Sequence, residues 1–481
     1  MGTLINVFIL SFLASTFYAS PLQPTYDTIV VGLGSAGATA ASTLAKAGKR
    51  VLALEAQDRI GGRVKTVPFG DGVVEEGAEW IHGTGNSRVY DSAVKNNITV
   101  FPQDPNSFVY NSDGTPGNTS LINELLEHSM TIADNPSEKP EALGKFISRS
   151  MLDYLKEKYP NLSENKEFVS EFFDLLNIFV SNDVASNDWN DISAQSHYRG
   201  VGGNLYTTWH RHGYKTFFDI VLNTYNNGTG WPTLDIKLNK EVTLIKWPKN
   251  STGNVEVLCK DGDVFKANNV IVTVSLGVLK ERYSTLISPP IPQSKITAIE
   301  KIPFGLIGKI ILSFPKRWIL NDNYILFYLP GDKSKINDTW LTKIRDISTP
   351  SGSSNTITLW TSGDVTKMVE KLPEDVVKRK VMGLLRQFLG KDMTVPEPTG
   401  IIISKWFSNP FTRGTYTYDS LSVHEYPDAR ATLGEPLVDE AGVPKVLFAG
   451  EATELTHFAT VHGASETGYR EAMRLLNLNK Q

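Results

Sequence analysis

The stretch YDTIVVGLGSAGATAASTLAKAGKRVLALEA, residues 26–56, decides the fold of this chain. The apolar run TIVV predicts a buried strand, the small residues after it predict a helix that ends near Gly48, and RVLALE predicts a second strand. Because strand-helix-strand crossovers are right-handed, these three elements predict a parallel βαβ unit.

The glycines between the first strand and the helix follow the pattern G-x-G-x-x-G in the order Gly32, Leu33, Gly34, Ser35, Ala36, Gly37. The first glycine permits a tight turn, the second lets a pyrophosphate approach the backbone, and the third brings helix and strand together, while the helix N-terminus offers free N–H groups to phosphate. Glu55 ends the second strand about 20 residues further on, where a carboxylate binds ribose hydroxyls. The context predicts a dinucleotide site; the alternative is that the glycines serve only helix packing.

The composition predicts a folded protein of two or three domains, with 481 residues of which 41% are hydrophobic and 21% charged. A net charge of −4 argues against a nucleic acid partner and suits a cationic ligand. The single cysteine, Cys259, lies in the apolar stretch VEVLC, which predicts a buried, unreactive thiol. A disulfide within the chain and a cysteine-rich metal site are excluded by count, and no metal is expected.

The N-terminus predicts a signal peptide over residues 1–20. Its apolar run from Leu4 to Tyr18 is shorter than the ~20 residues that span a bilayer, so no integral membrane segment is expected. The alternative is an N-terminal strand or helix that joins the core. Six N-x-S/T sequons agree with a secreted, glycosylated protein, at Asn97, Asn118, Asn161, Asn227, Asn250 and Asn337.

Further blocks carry a resemblance to a known family. Glu55 is followed by DRIGGRVKT (58–66), whose Gly-Gly turn sets Arg59 and Arg63 so that a cation can lie against the pyrophosphate, and then by GAEWIHG (77–83). With SKWFSNPFTRGTYTY (404–418) and LFAGEATELTHFATVHGASETGYREA (447–472), these blocks resemble the flavin amine oxidases, and specifically the polyamine oxidase branch. The resemblance runs from about residue 26 to about residue 476, and only residues 100–205 match poorly.

The resemblance implies an α/β plus α+β architecture in which a Rossmann-like FAD-binding domain is interleaved with a mixed-sheet substrate-binding domain. The FAD-binding domain would comprise residues 26–100, 205–285 and 440–478, and the substrate-binding domain residues 101–204 and 286–439. The FAD would be noncovalent, because Cys259 lies far from the C-terminal motif through which monoamine oxidases attach their flavin.

The resemblance also assigns residues to the cofactor. Glu55 would hold the adenosine ribose, Arg63 the pyrophosphate, Val242 the adenine side, and Glu451 the ribityl or pyrophosphate end. Gly77 and Ala78 would let the cofactor approach, and Trp80 would pack beside them. The remaining implied positions at the cofactor are Ala56, Trp406, Gly450 and Val461, together with the glycine motif and its residues Ser35 and Ala36.

Five residues are predicted to serve the chemistry: Lys309, His82, Glu79, Tyr416 and Thr460. Lys309 lies in the apolar strand GLIGKIIL, so its ammonium is either buried with a partner or directed outward; the resemblance places it against a water next to the flavin N5. Tyr416 and Thr460 would lie near the flavin ring, Thr460 where some relatives carry an aromatic residue. His82 and Glu79 are expected to accept hydrogen bonds from a substrate amine, although His82 is alternatively a loop histidine bonded to backbone.

Two further acidic groups are candidates for attracting a polycation. Asp71, Glu75 and Glu76 precede GAEWIHG, and those on the outward strand face are alternatively only solvated. Asp183, Asp188 and Asp191 either line the entrance of the site or form a solvated loop, and the solvated loop is the favoured interpretation.

The implied reaction is oxidation of spermine, spermidine or an N-acetylpolyamine by hydride transfer to flavin, followed by imine hydrolysis and by reoxidation with O2 to give hydrogen peroxide. A secreted L-amino acid oxidase is a rival, although that activity requires a cation for the substrate carboxylate. A flavin-fold binding protein that has lost catalysis is a rival of another class. The sequence predicts no particular oligomeric state.

Overall fold

The computed structural model describes residues 25–103, 107–249, 253–319 and 323–478. The predicted signal peptide, residues 1–20, and the sequon at Asn250 lie outside the described residues and stay predictions. No helix within the described ranges is long and apolar enough to cross a membrane.

The larger sheet has nine strands within the described residues and contains the predicted βαβ unit. Tyr26–Val31 and Val51–Leu54 run parallel, and the second of these strands is buried throughout, as expected where both faces of a parallel sheet are covered. Across the sheet the order is Ile287–Ser288, Val242–Lys246, Val255–Cys259, Val264–Val272, Tyr26–Val31, Val51–Leu54 and Leu234–Lys237; Pro444–Phe448 pairs with Val264–Val272, and Leu437–Val438 pairs with Pro444–Phe448.

Glycines let the first helix, Ser35–Lys46, pack closely on its neighbours. A Cβ atom on Gly37 would lie 2.0 Å from the carbonyl oxygen of Gly32, and one on Gly468, in the last helix, would lie 2.0 Å from that of Ala36. Any side chain there would force the backbones apart. Gly32 has φ of +96°, a conformation that L side chains rarely adopt. This is the tight turn and close packing that the glycine motif predicted.

The second large sheet has six strands and is mixed, as the resemblance implied. All of its pairs are antiparallel except the one between Asn323–Phe327 and Phe108–Asn111. Its order is Gly400–Ile403, Ile307–Ser313, Thr356–Ser362, Asp346–Ser348, Asn323–Phe327 and Phe108–Asn111. Two small sheets pair Thr66–Phe69 with Gly72–Glu75, and Thr207–Thr208 with both Trp80–Ile81 and Phe101–Pro102.

Helices connect and cover these sheets. The α-helices of the described residues are Ser35–Lys46, Arg88–Lys95, Thr119–Asp134, Leu143–Lys158, Pro160–Glu164, Lys166–Val184, Lys215–Val221, Leu276–Leu286, Gln293–Lys301, Gly363–Val369, Glu374–Leu389, Ala429–Gly434 and Val461–Leu478. Short 3-10 helices occur at Trp189–Asp191, His210–His212, Tyr225–Asn227, Lys333–Lys335, Thr339–Lys343, Leu421–His424 and Glu451–Thr453.

The poorly matching region, about residues 100–205, is largely helical. The side chains of Asn118 and Asn165 cap two of its helices by accepting hydrogen bonds from the N–H groups of Leu121 and Phe168. The apolar faces of these helices pack against the edge of the six-stranded sheet. This region therefore forms a helical layer that extends the second sheet.

Two segment boundaries differ from those that the sequence suggested. Ile287–Ser288 and Leu437–Val438 pair within the nine-stranded sheet, although both fall in the stretch 286–439 assigned to the substrate-binding domain. The helix Gln293–Lys301 also packs into the core of the nine-stranded sheet, through Ala298 and Ile299. The chain therefore crosses to the second sheet later than predicted and returns earlier, because these short elements bury their apolar side chains against the first core.

Candidate functional site

One cavity of about 1020 Å³ lies between the two large sheets. At one end it is lined by Val31 and Leu54, at the carboxyl ends of the two parallel strands, where ligands of open α/β sheets bind. It continues to Lys309 on the six-stranded sheet and to Asp183 at the end of the helix Lys166–Val184. Its size suits a ligand larger than a small amine alone.

The glycine motif forms the first wall of this cavity, through Gly32, Gly34, Ser35 and Ala36. No side chain caps the helix at Gly34, so the first helical N–H groups are free to meet an anion. The carboxylate of Glu55 accepts hydrogen bonds from the backbone N–H groups of Leu33 at 2.8 Å and Gln57 at 2.9 Å. Burial raises the pKa of Glu55, and these hydrogen bonds partly oppose that rise. Ala56 lines the cavity next to it.

Arg63 and Glu451 join the two halves of the cavity wall. Nη1 of Arg63 lies 2.8 Å from Oε1 of Glu451, while Oε2 accepts hydrogen bonds from the Thr417 hydroxyl at 2.7 Å and the Ala459 N–H at 3.1 Å. Burial alone would raise the pKa of Glu451, but Arg63 and then Thr417 hold it below its ordinary value. The Arg63 side chain stays 26% exposed and lines the cavity, so its guanidinium can also meet an anionic ligand.

Of the two arginines that flank the Gly-Gly turn, Arg59 does not face the cavity. Its guanidinium donates to the carbonyl oxygens of Val64 at 3.0 Å and Gly62 at 2.6 Å, and it does not line the cavity. Gly61 and Gly62 both have positive φ, so their turn curls its carbonyl groups toward this arginine. Arg59 therefore holds the Gly-Gly turn, and Arg63 is the cation at the cavity.

A second helix N-terminus faces the first. Ser35 donates its hydroxyl proton to the carbonyl of Val461 at 2.8 Å, which ties the two helix starts together. The Thr460 hydroxyl donates to the carbonyl of His457 at 2.6 Å and accepts from the N–H of Gly463 at 3.0 Å. Thr460 lines the cavity, but its hydroxyl is occupied as a cap of the last helix.

Gly37, also predicted at the cofactor, does not line the cavity, because it packs against the backbone of Gly32. The other predicted cofactor positions do line it: Gly77, Ala78, Trp80, Val242, Trp406, Gly450 and Val461. A Cβ atom on Gly77 would lie 1.9 Å from the carbonyl oxygen of Arg63, so this close approach requires glycine. The indole of Trp406 donates to the carbonyl of Glu76 at 3.0 Å, which fixes the ring next to Gly77.

Lys309 is buried with a partner, which decides between the two orientations left open by the sequence. Its Nζ lies 2.6 Å from Oε2 of Glu79 and 2.9 Å from the carbonyl oxygen of Glu75, and it sits 4.6 Å from the ring centroid of Trp360. Glu79 was predicted to accept from a substrate amine, but its carboxylate is engaged by Lys309. Both side chains line the cavity.

The acidic run before this motif is also occupied internally. Glu76 pairs with Lys65 at 2.7 Å. Asp71 accepts hydrogen bonds from Ser353, Ser354 and Arg211. Glu75 is buried and accepts from the N–H of Tyr214 and the hydroxyl of Thr66, and burial raises its pKa to about 7 in spite of these bonds. None of these three carboxylates is free to attract a polycation.

Aromatic rings wall the cavity around Lys309. Trp80 stacks on Trp360 with centroids 5.5 Å apart and meets Tyr206 edge-on at 5.8 Å. The ring of His82 lies 6.2 Å from that of Trp80, centroid to centroid. The backbone of Leu205 forms a hydrogen bond with the imidazole, and burial lowers the pKa of His82. His82 therefore combines both interpretations, since it touches backbone and lines the cavity.

Two carboxylates that line the cavity, Asp183 and Asp134, mark what we call its far end. Within the described residues neither forms an ion pair with Lys or Arg. Burial and then the charge of Asp134 raise the pKa of Asp183 to about 6. The Asp183 side chain lines the cavity and is exposed to its open volume. The hydroxyl of Tyr416 donates to the carbonyl of Asp183 at 3.0 Å, which brings this predicted flavin-side residue to the same place.

Asp183 corrects the interpretation of the second acidic group as a solvated loop. Asp188 instead caps the short helix Trp189–Asp191 by accepting from the N–H of Asn190, and neither Asp188 nor Asp191 lines the cavity. No sequence pattern indicated that Asp134, Tyr206 or Trp360 lies at the site. The signal that could have placed Asp183 is its position at the end of a long amphipathic helix. The structure shows that this helix is capped by Ala185, which is in the left-handed conformation.

The residues present fit a flavin dinucleotide. Two helix N-termini, a buried ribose-side carboxylate and a half-exposed arginine surround one elongated volume. Cys259, the only cysteine of the chain, does not line it, and burial raises the pKa of this thiol to about 11. The prediction that this thiol is buried is confirmed.

Comparison with known proteins agrees with this geometry. Residues 35–476 match the family described as flavin containing amine oxidoreductase. The peroxisomal N(1)-acetyl-spermine/spermidine oxidase of Bos taurus is 31% identical, over 94% of this chain and 94% of that protein. The probable polyamine oxidase 5 of Arabidopsis thaliana is 29% identical, over 93% of this chain and 97% of that protein. A solved double mutant of putrescine oxidase with redesigned cofactor binding shares the fold, with a TM-score of 0.64 and 19% identity over 94% of this chain and 99% of that one.

Proposed function

The chain belongs to the flavin containing amine oxidoreductases, and on that basis we propose that it is an FAD-dependent oxidase of spermine, spermidine or an N-acetylpolyamine. When bound, FAD supplies the redox step, in which a hydride leaves the carbon next to a substrate nitrogen, the imine hydrolyses to an aldehyde and an amine, and dioxygen is reduced to hydrogen peroxide. The residues of the chain bind the two ligands, orient them and exclude water from the cavity.

The observation that carries the substrate class is the distribution of charge along the cavity. Near Lys309 the cavity-lining charges are paired, with Lys309 on Glu79 and Arg63 on Glu451. At the other end Asp183 and Asp134 lack such partners within the described residues. A substrate with one reacting nitrogen and a second, distant ammonium group matches this arrangement, because only the far end attracts a cation strongly.

An amino acid substrate fits less well. Its carboxylate requires a cation at the reacting end, but the ammonium of Lys309 is engaged by Glu79. Arg199 also lines the cavity, yet its Nη1 donates to the carbonyl oxygens of Ser196 at 2.9 Å and Tyr198 at 2.6 Å. The L-amino acid oxidase alternative is therefore not favoured by the charges of the site.

The experiment that tests the function is a peroxide-release screen of the purified yellow protein. Its arms are spermine, spermidine, N-acetylspermine, a monoamine and leucine, at equal concentration. Peroxide from a polyamine supports the proposal. A yellow protein that releases none from any polyamine would match a binding protein without activity, and preferential oxidation of leucine would favour the amino acid oxidase.

The Asp183→Asn variant is expected to raise the KM for spermine about tenfold while kcat changes less than about twofold, because one unpaired carboxylate at the far end is lost. In the native protein the KM should also rise as the pH falls through about 6, since the pKa of Asp183 is about 6 and only its charged form attracts the ammonium. Steady-state kinetics from pH 5 to pH 8 measure both effects. Asp188→Asn, outside the cavity, is the matched control, and an unchanged KM in Asp183→Asn would contradict the assignment.

We also propose that the protein is secreted and glycosylated. The five sequon asparagines within the described residues, Asn97, Asn118, Asn161, Asn227 and Asn337, are all exposed, as a glycan requires. Protein recovered from the medium of expressing eukaryotic cells should lose apparent mass on treatment with an N-glycosidase. Retention of the whole product inside the cells, with no change in mass, would count against secretion.

A further inference from the structure

The buried pair of Lys309 and Glu79 is fixed from several sides. Both side chains are almost inaccessible, at 4% and 5%, and Nζ of Lys309 meets Oε2 of Glu79 at 2.6 Å. The same ammonium donates to the carbonyl of Glu75 and sits over the ring of Trp360. The backbone N–H of Lys309 is held by the Ser404 hydroxyl at 2.8 Å, so the strand that carries the lysine is anchored as well.

We propose that Glu79 is a positioning residue that neutralises the reacting end of the cavity, so that a polycationic substrate can place a nitrogen beside Lys309 while Asp183 holds its distant ammonium. This inference rests on the proposed function for its substrate. By neutralising this end of the cavity, Glu79 determines which way round the substrate lies. Its carboxylate contacts Lys309 and not the substrate.

The physical reason is the low polarity of this end of the cavity. An unpaired lysine ammonium within a few ångströms of a substrate ammonium, in surroundings of low dielectric constant, would repel it strongly. An unpaired carboxylate would bind the substrate nitrogen as its ammonium, which lacks the lone pair from which an imine forms. The closed pair avoids both problems, because its net charge is zero.

Other charged groups near the pair do not change this balance. Glu76, which lines the cavity, pairs with Lys65. Glu75 does not line the cavity, and its carboxylate is directed at the N–H of Tyr214 and the hydroxyl of Thr66. Burial lowers the pKa of the His82 imidazole. The neighbouring strands Thr356–Ser362 and Gly400–Ile403 contain no charged residue. Glu79 is therefore the residue whose removal would give the reacting end a net positive charge.

The test compares four holoenzymes: the native protein, Glu79→Gln, Lys309→Met and the double variant. Anaerobic stopped-flow reduction by spermine gives the Kd separately from the limiting rate constant. We expect the Kd to rise about tenfold in Glu79→Gln, to stay unchanged or fall in Lys309→Met, and to return to within about twofold of the native value in the double variant. Glu79→Asp, which keeps the charge, should restore most of the affinity.

A second readout does not depend on polyamine oxidation. Benzoate is a monoanion, and its binding is followed by the change in flavin absorbance. Glu79→Gln should bind benzoate about tenfold more tightly than the native protein and the double variant, because only Glu79→Gln leaves Lys309 unpaired.

The two readouts separate the possible failures. If polyamines do not reduce the native flavin, the proposed function is wrong, and the benzoate comparison still decides whether Glu79 neutralises the reacting end. If Glu79→Gln binds both spermine and benzoate like the native protein, or if the double variant resembles Glu79→Gln, the inference about Glu79 is overturned. A merely structural role of Glu79 would weaken both ligands together and would not be reversed by Lys309→Met.

Discussion

The Lys309→Met variant is expected to keep its bound flavin and to lose about 100-fold or more of its steady-state turnover. Lys309 lines the cavity, and its ammonium is held at one position by Glu79, Glu75 and Trp360. Loss of a fixed proton-donating group from a reaction site typically costs about 10²–10⁴-fold in rate. Peroxide release per mole of flavin measures the effect, and the ratio of flavin to protein absorbance confirms that the cofactor is present.

The control must separate a loss of turnover from the loss of stability that removing a buried lysine causes. Removing Lys309 leaves Glu79 as an uncompensated buried charge, which is expected to lower the free energy of unfolding by about 3–5 kcal/mol. Lys295 offers a matched case: it is 3% exposed, its Nζ donates to the carbonyl oxygens of Thr432, Leu433 and Glu435, and it does not line the cavity. Lys295→Met should therefore lower stability but not turnover per flavin. Native turnover in Lys309→Met would refute the role of Lys309.

The Arg63→Ala variant is expected to be isolated without its flavin. Arg63 supplies the cation that faces the cavity next to the glycine motif, and it also balances Glu451, which is 3% exposed. Without Arg63 the Glu451 carboxylate stays buried with only neutral hydrogen-bond donors within reach of its oxygens, and the pyrophosphate loses its positive partner. We expect the Kd for FAD to rise at least about 100-fold, measured by quenching of flavin fluorescence on reconstitution.

A separate measurement on the native protein tests whether the flavin is noncovalent. Acid precipitation of the native protein should leave the yellow colour in the supernatant, because Cys259 is buried outside the cavity. Arg386→Ala is the matched control for Arg63→Ala, since Arg386, on the helix Glu374–Leu389, forms an exposed ion pair with Glu397 and should leave flavin content unchanged. A full complement of flavin in Arg63→Ala, or colour that stays in the pellet, would contradict the respective prediction.

The nucleotide end of the site could be predicted residue by residue. Gly32, Gly37 and Glu55 are separated by short stretches of chain, and their roles follow from backbone geometry that the local sequence enforces. Two arginines flank the same Gly-Gly turn, and the prediction that Arg63 meets the pyrophosphate left Arg59 without an assigned role. Only the folded turn shows that Arg59 donates to its carbonyl groups, so that Arg63 remains for the cavity.

The amine end could be predicted only in outline. Glu79 and Lys309 were both expected at the site, but their contact joins residues 230 positions apart, and no local pattern encodes it. A carboxylate in GAEWIHG could equally have faced a substrate. The favoured prediction placed Asp183 in a solvated loop together with Asp188 and Asp191. Asp188 and Asp191 do lie outside the cavity, but Asp183 lines it. The helix that carries Asp183 lies in the segment with the weakest resemblance, so the sequence did not separate it from its neighbours.

By itself, then, the sequence determined the family, the nucleotide-binding unit and Lys309 as a candidate residue of the site, because strand, turn and helix signals act over a few residues and glycine geometry leaves little choice. The tertiary structure decided which charged side chains form ion pairs with each other and which remain for a ligand. Ion pairs form between side chains brought together by packing from distant parts of the chain, so the balance between the paired end at Lys309 and the unpaired end at Asp183 exists only in the folded protein.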